Sequence, residues 1–407
     1  MTAPISAGTP AAGPPAADPP APGPPVTVRD VVAAMERLYP SALAEDWDAV
    51  GLVCGRPERP VKRVLVAVDP VASVVAEAIG WGADLLITHH PLLLTGVHSV
   101  SATDPKGEVI TDLIEARCAL LSAHTNADAA RPGVSDALAE LLGLVDLRPL
   151  ASAEQCSDPT EAIVVYVPDT HTGPMIDAMA AAGAGRIADY TRCAFTVSGT
   201  GTFEVPADGD PWLGRPGERS EVVEQRVEMS VRRSVRDRAL AAMLTVHPYE
   251  QPSYFVLPTT AAPAVTGIGR VGRLRTPRTL AEFGSDVAAA LPATEHGVRV
   301  AGDPHRIVST VAVCGGAGDS LLPAAAGADV FVTADLRHHR ADEHLGQGGA
   351  ALVDVAHWAS EWPWCRQVAD LLPAELSTPD SVTVRVSEIV TDPWTAHLRS
   401  AQPRRVL

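Results

Sequence analysis

From Val26 to about residue 150, short apolar runs alternate with helix-length segments, and this alternation restricts the fold more than any other feature of the sequence. VTVRDVVAAMERLYP reads as an amphipathic helix ending at Pro40. VKRVLVAVD predicts a strand, VASVVAEAIGWG a helix, and ADLLITHH a buried strand stopped by Pro91. KGEVITDLIEARC predicts a helix, CALLSAHTN a strand and VSDALAELLGL a helix. Such alternation implies βαβ units and a largely parallel sheet.

Near Leu150 the pattern changes. EAIVVYVP, a helix from about Thr172 to Ala182, CAFTVSGTGTFEV, QRVEMSVR, a helix near Val235 to Leu244 and SYFVLPT follow in β-α-β-β-α-β order, the ferredoxin-like arrangement. PADGDPWLGRPGER is a Gly/Pro loop between two of these strands. The α/β texture then resumes in RIVSTVAVCGG, SLLPAAAGADVFVTAD and GGAALVDVAHWASEW. The expected organisation is an α/β domain with a mostly parallel sheet, split into residues 26–152 and 263–385 by an inserted α+β domain at 153–262. A Pro/Ala/Gly tail, residues 1–25, lacks the apolar surface to offset its ordering entropy and reads as disordered; residues 386–407 form a C-terminal extension.

The formal net charge of −17 argues against a general nucleic-acid binder or an anionic-membrane binder, which would want a basic face. There is no run of eighteen apolar residues, so no transmembrane helix is expected, and the start lacks the pattern of a secretory signal. The six cysteines, Cys54, Cys118, Cys156, Cys193, Cys314 and Cys365, form no CxxC pair, so a reduced, cytoplasmic setting is the simple reading.

Three predicted strands run into side chains that ligate metals. ADLLIT leads to His89 and His90, ALLSA to His124, Asn126 and Asp128, and AALVDVA to His357 and Glu361. Ligand sites of open α/β sheets lie beyond the carboxyl ends of the strands, so these residues are expected to converge. Two adjacent histidines diverge in mid-strand but, at a strand end, can serve neighbouring metals. His357 and Glu361, four apart, share a helix face. Taken singly, each piece has a plainer reading: a solvated i,i+4 pair for His357 and Glu361, a cap or turn residue for Asp128. The joint occurrence favours a site of two divalent metals held by His89, His90, Asp128, His357 and Glu361. Imidazole and carboxylate ligands suit Zn, Mn, Fe or Co.

Other segments carry weaker signals. LRHHR offers Arg337, His338 and His339 for substrate or phosphate contact, or simply starts a solvated helix. His124 is a further ligand or an orienting group. VCGGAGDS is either a phosphate-receiving turn or, more simply, a tight structural one. Asp46 and Asp48 either face the site or serve a turn. No Ser-His-Asp or Cys-His nucleophile set stands out.

The ordered motifs EDWDAVGL, ITHHPLL, SAHTNAD and DVAHWASE resemble those of the YbgI-like dinuclear metal proteins, the GTP cyclohydrolase 1 type 2 homologues. The resemblance covers roughly residues 26–380. It implies that His89, His90, Asp128, His357 and Glu361 match the family's ligands, with Glu361 as the bridge. It also implies that the insert, Glu161 to Thr259, is PII/CutA-like, and that the chain assembles as a homohexamer. Ala49, Ala356, Trp358 and Ser360 depart from the family pattern but remove no ligand. The expected function is metal-dependent hydrolysis of a nucleotide or phosphorylated small molecule, with His124 and His338 as proton shuttles. The alternative is a non-catalytic metal-binding regulatory or scaffold protein with a sensing insert.

Overall fold

The computed structural model describes residues 25–152, 159–209, 212–259, 265–377 and 381–398. The Pro-rich tail up to residue 24, Cys156 and residues 399–407 lie outside them. The chain divides into two units, Met1–Arg37 with Gly51–Ala123 and Cys365–Ile389, and Leu38–Val50 with His124–Trp364 and Val390–Leu407.

The first unit holds helices α1 (Val28–Leu38), α2 (Ala72–Trp81) and α3 (Pro105–Glu115) and strands β1 (Gly51–Cys54), β2 (Arg63–Ala67), β3 (Leu85–Thr88) and β4 (Ala119–Ser122). Its five-stranded sheet also contains β15 (Thr383–Val386), in the order β1-β4-β3-β2-β15. β15, β2, β3 and β4 run parallel, and β1 is antiparallel to β4. β3 and β4 are buried throughout and β2 over four of its five residues, as parallel strands covered on both faces must be. Leu65, Leu86 and Leu120 pack with Val74 and Val75 of α2 and Leu113 of α3. The start of α3 is fixed by Asp104, whose carboxylate accepts from the amides of Lys106 and Gly107.

The second unit contains α4 (Thr125–Ala129), α5 (Val134–Leu141) and β5 (Leu144–Ser152), then β6 (Thr160–Pro168), α6 (Thr172–Ala181), β7 (Phe195–Glu204), β8 (Arg219–Arg232), α7 (Arg233–Val246) and β9 (Tyr254–Pro258). It continues with β10 (Gly267–Thr279), α8 (Leu280–Ala290), β11 (Val298–Ala301), β12 (Ile307–Ala317), α9 (Leu322–Ala325), β13 (Val330–Ala334), α10 (His338–Gly346), β14 (Ala351–Val355) and, as far as Trp364, α11 (His357–Leu371).

Two sheets result. The first has the order β11-β14-β13-β12-β10-β5, with only β12, β13 and β14 mutually parallel. The expectation of a mostly parallel sheet therefore holds in the first unit and fails here. β5 and β10, the strands just before β6 and just after β9 in the chain, pair antiparallel with each other, and β10 pairs antiparallel with β12. Their sequences, LVDLRPLAS and GIGRVGRLRTPRT, carry proline, arginine and glycine in place of an apolar run, and so did not read as strands. The second sheet is antiparallel, in the order β7-β8-β6-β9. Ile163, Val165, Val227 and Met229 on one of its faces pack against Met175 and Met179 of α6 and Ala239 and Met243 of α7. Among the described residues no helix is long and apolar enough to cross a membrane.

One buried charge locks the second unit. Arg270 on β10 is wholly buried. Its guanidinium meets Asp136 of α5 at 2.7 and 2.9 Å and donates to the carbonyls of Ala130, Gly267 and Gly269. Asp136 also accepts from the amide of Gly133, so one carboxylate caps α5 and neutralises Arg270. Leaving such a charge unpaired is costly, so Asp136→Ala is expected to lower unfolding free energy by about 3–5 kcal/mol, read by chemical denaturation. A loss under about 1 kcal/mol would show that the carbonyls alone suffice.

Candidate metal centre

In the first unit, β3 delivers the His89–His90 pair. The amides of His89 and His90 donate to Ala67 and Val68, which carries the pairing with β2 just beyond Thr88. Thr88 Oγ1 donates to the His90 carbonyl at 2.9 Å and fixes the turn. His89 is fully buried, and its Nδ1–H donates to Ala123 O at 2.9 Å. His90 Nδ1–H donates to Asp69 Oδ1 at 2.7 Å. An acceptor at Nδ1 puts the proton there and makes Nε2 the lone-pair nitrogen. The two rings lie 5.1 Å apart between centroids and are tilted by 43°, as expected of side chains diverging at a strand end.

In the second unit, His124 caps α4. Its Nδ1–H donates to Asp48 Oδ1 at 2.8 Å, and Asp48 also accepts from the amide and hydroxyl of Thr125. Burial pushes the Asp48 carboxyl up, but the bonds from Thr125 and His124 outweigh it and hold the carboxyl below its ordinary value. Asn126 accepts from the His124 amide and donates to Tyr39 O, so the HTN segment is tied at every residue. Asp128 follows one turn later, its amide donating to His124 O.

His357 opens α11. Its Nδ1–H donates to Asp335 Oδ2 at 2.6 Å, and its Nε2 lies 3.0 Å from Oε1 of the buried Glu361. The bond from His357 lowers the Asp335 carboxyl against the opposing effect of burial. Asp335 adopts a left-handed φ of 57° just past β13, a conformation that aspartate tolerates better than most residues. Gly316 on β12 has φ +68°, and a Cβ there would fall 2.3 Å from Glu361 Oε1 and 3.1 Å from His357 Nε2. Its amide donates to Ser360 Oγ at 2.9 Å, and that hydroxyl donates to His357 O. Glycine thus leaves the space beside both donor atoms open. The adjacent Cys314 thiol is pushed up by burial and then by the charges of Asp128 and Glu361, so both carboxylates act on the same point.

The donor set fits a divalent metal. Bonds of about 2.0–2.2 Å from one ion to an imidazole nitrogen and a carboxylate oxygen put the donors about 2.9 Å apart in octahedral geometry and about 3.4 Å apart in tetrahedral geometry. The 3.0 Å between His357 Nε2 and Glu361 Oε1 is close to the octahedral span.

Each unit thus gathers its own share of the expected residues: His89 with His90 in one, His124, Asp128, His357 and Glu361 in the other. His338 and His339 stand exposed in the first turn of α10, and Arg337 pairs with Asp319. VCGGAGDS is mostly strand: Val313–Ala317 belong to β12, with Gly315 and Gly316 beside Glu361. Asp48 proves to be the partner of His124, whereas Asp46 is exposed. Sequence reasoning did not find Asp69 and Asp335. The signal was present, since each ends a buried strand, VLVAVD and VFVTAD, in the way the ligands do.

Comparison with known proteins identifies the family. The Duf34/NIF3 (NGG1p interacting factor 3) family profile matches residues 26–393, and the chain belongs to that family. It is 48% identical over 371 residues to a protein of Mycobacterium leprae (strain TN) named GTP cyclohydrolase 1 type 2 homolog, covering 90% of this chain and 94% of that one. A Bacillus subtilis (strain 168) protein of the same name is 36% identical over 373 residues, covering 91% and 98%. A Bacillus cereus protein related to NIF3, known by crystal structure, is 34% identical with a TM-score of 0.63, covering 92% of this chain and all of that one. The protein ybgI, 17% identical with a TM-score of 0.54 over 90% of this chain and 100% of its own, shares the fold.

The Nδ1 acceptors lead to a direct expectation. Asp335→Asn and Asp69→Asn should each weaken Zn or Mn binding about 10–100-fold, measured by chelator competition, with little change in thermal stability. Affinity equal to that of the unsubstituted protein would show that these carboxylates do not orient ligands.

Proposed function

We propose that this chain binds two divalent metal ions through His89, His90, Asp128, His357 and Glu361 and is a metal-dependent hydrolase resembling GTP cyclohydrolase 1 type 2. The carrying observation is that each imidazole donates from Nδ1 to an oxygen, while His357 Nε2 and the buried Glu361 carboxylate stand 3.0 Å apart. The names of the Mycobacterium leprae and Bacillus subtilis relatives support a nucleotide or phosphorylated small molecule as substrate. When bound, the metals supply an acidified water and polarise the bond it attacks. The protein supplies alignment: Asp69, Asp335 and the Ala123 carbonyl hold the ligand rings. His124, backed by the Asp48 carboxylate, is set to take a proton at Nε2 and be stabilised as the imidazolium. His338, exposed at the start of α10, is the second proton carrier. Zn, Mn, Fe and Co all suit the ligands.

The strand order β7-β8-β6-β9, with α6 following β6 and α7 following β8, supports a ferredoxin-like, PII/CutA-like insert. Assembly as a cytoplasmic homohexamer belongs to the same reading. In a second reading the metals are structural and the insert is a sensor; the large cavity of the insert favours it.

Protein loaded with Zn or Mn and assayed against GTP and a panel of phosphodiesters separates the two. Turnover that disappears with His90→Ala and Glu361→Ala, together with loss of bound metal by elemental analysis, is expected. No turnover with any metal despite stoichiometric binding would sink the enzyme reading. Two metal equivalents per chain in either variant would contradict the ligand assignment.

A further inference from the structure

The β6–β9 sheet carries a cavity of about 900 Å³, formed by residues none of which is a candidate metal ligand. Strand pairing sets Phe203 beside Ser220, Gly201 beside Val222, Gly199 beside Glu224, and Val197 and Tyr166 beside Arg226. Paired residues share a face, and Val227, Met229 and Val231 occupy the other face against α6 and α7. The strand residues of the cavity therefore belong largely to the face turned away from the two helices.

Its walls are aromatic and its charge is acidic. Trp212 packs on Tyr249 with centroids 5.7 Å apart, and Phe203 meets Tyr249 edge-on at 6.4 Å. Tyr249 Oη donates to Glu224 Oε1 at 2.9 Å, which places a carboxylate against this group of rings. Gly201 makes room for it, because a Cβ there would fall 2.2 Å from Glu224 Oε2. Burial, followed by the Glu224 carboxylate, keeps the Tyr249 phenol protonated, so Tyr249 remains a donor and adds no charge. Arg226 lines the cavity but is paired with Glu228 at 2.8 Å, while Glu204, Glu224 and Glu250 all line it.

A phosphate or carboxylate ligand would meet three like charges. A cation would meet ring faces of negative potential and an opposing carboxylate. The volume suits a small molecule. We propose that this cavity binds a small organic ammonium cation, with Trp212 and Tyr249 against its carbon groups and Glu224 opposing its charge.

Calorimetry on the full, metal-loaded chain tests this with choline, spermidine, the neutral choline analogue 3,3-dimethylbutan-1-ol, and adenosine monophosphate as an anionic aromatic. Saturable binding of an ammonium probe without binding of the neutral alcohol is expected. Glu224→Gln, which can still accept from Tyr249, and Trp212→Ala should each weaken that binding about tenfold or more, with melting temperature and metal content unchanged. The proposal is overturned if neither ammonium probe binds, if the alcohol or adenosine monophosphate binds as tightly, or if Glu224→Gln binds like the unsubstituted chain.

Discussion

The arrangement of the candidate centre depends on one recurring interaction, a hydrogen bond from histidine Nδ1 to a fixed oxygen. His89 donates to a carbonyl, and His90, His124 and His357 donate to Asp69, Asp48 and Asp335. A neutral imidazole has one proton and one lone pair, so fixing the proton fixes the nitrogen that coordinates. It also fixes the ring plane, which removes rotamer freedom before any metal arrives. The buried Asp48 carboxylate is tolerable only because Thr125 and His124 satisfy it.

Parallel strand order accounts for the partners of His89, His90 and His357. β3 lies between β2 and β4, so the His89–His90 pair at its end is flanked by Asp69 beyond β2 and by Ala123 beyond β4. The second unit repeats the device with β14, β13 and β12 side by side. His357 follows β14, Asp335 follows β13, and Gly316 lies near the end of β12. Neighbouring parallel strands end at one edge, so residues distant in sequence come within hydrogen-bond reach of the histidines without long-range coincidence. The missing side chain at Gly316 then leaves room beside Nε2 of His357 and the carboxylate of Glu361.

Much of this was legible in the sequence. β2, β3, β4, β13 and β14 are apolar runs of strand length, and the residues following β3, β4 and β14 are good ligand types, so strand ends pointed to the site. β5 and β10 were not legible. An antiparallel strand such as β10 can carry a buried Arg270 when a specific partner such as Asp136 satisfies it, and periodicity does not register such partners. Asp69 and Asp335 escaped for a related reason: an aspartate ending a strand resembles a turn residue until its neighbour across the sheet is known. The Gly315–Gly316 pair looked like a turn because glycine is usually conformational, whereas here the space left by Gly316 is what matters.

Anomalous X-ray scattering from crystals of the Zn-loaded protein tests the central claim most directly. The account predicts peaks about 2.0–2.1 Å from Nε2 of His89, His90 and His357, with Nδ1 of each still on its oxygen partner and the Glu361 carboxylate in the coordination sphere. Peaks on Nδ1, or zinc bound away from these residues, would contradict it.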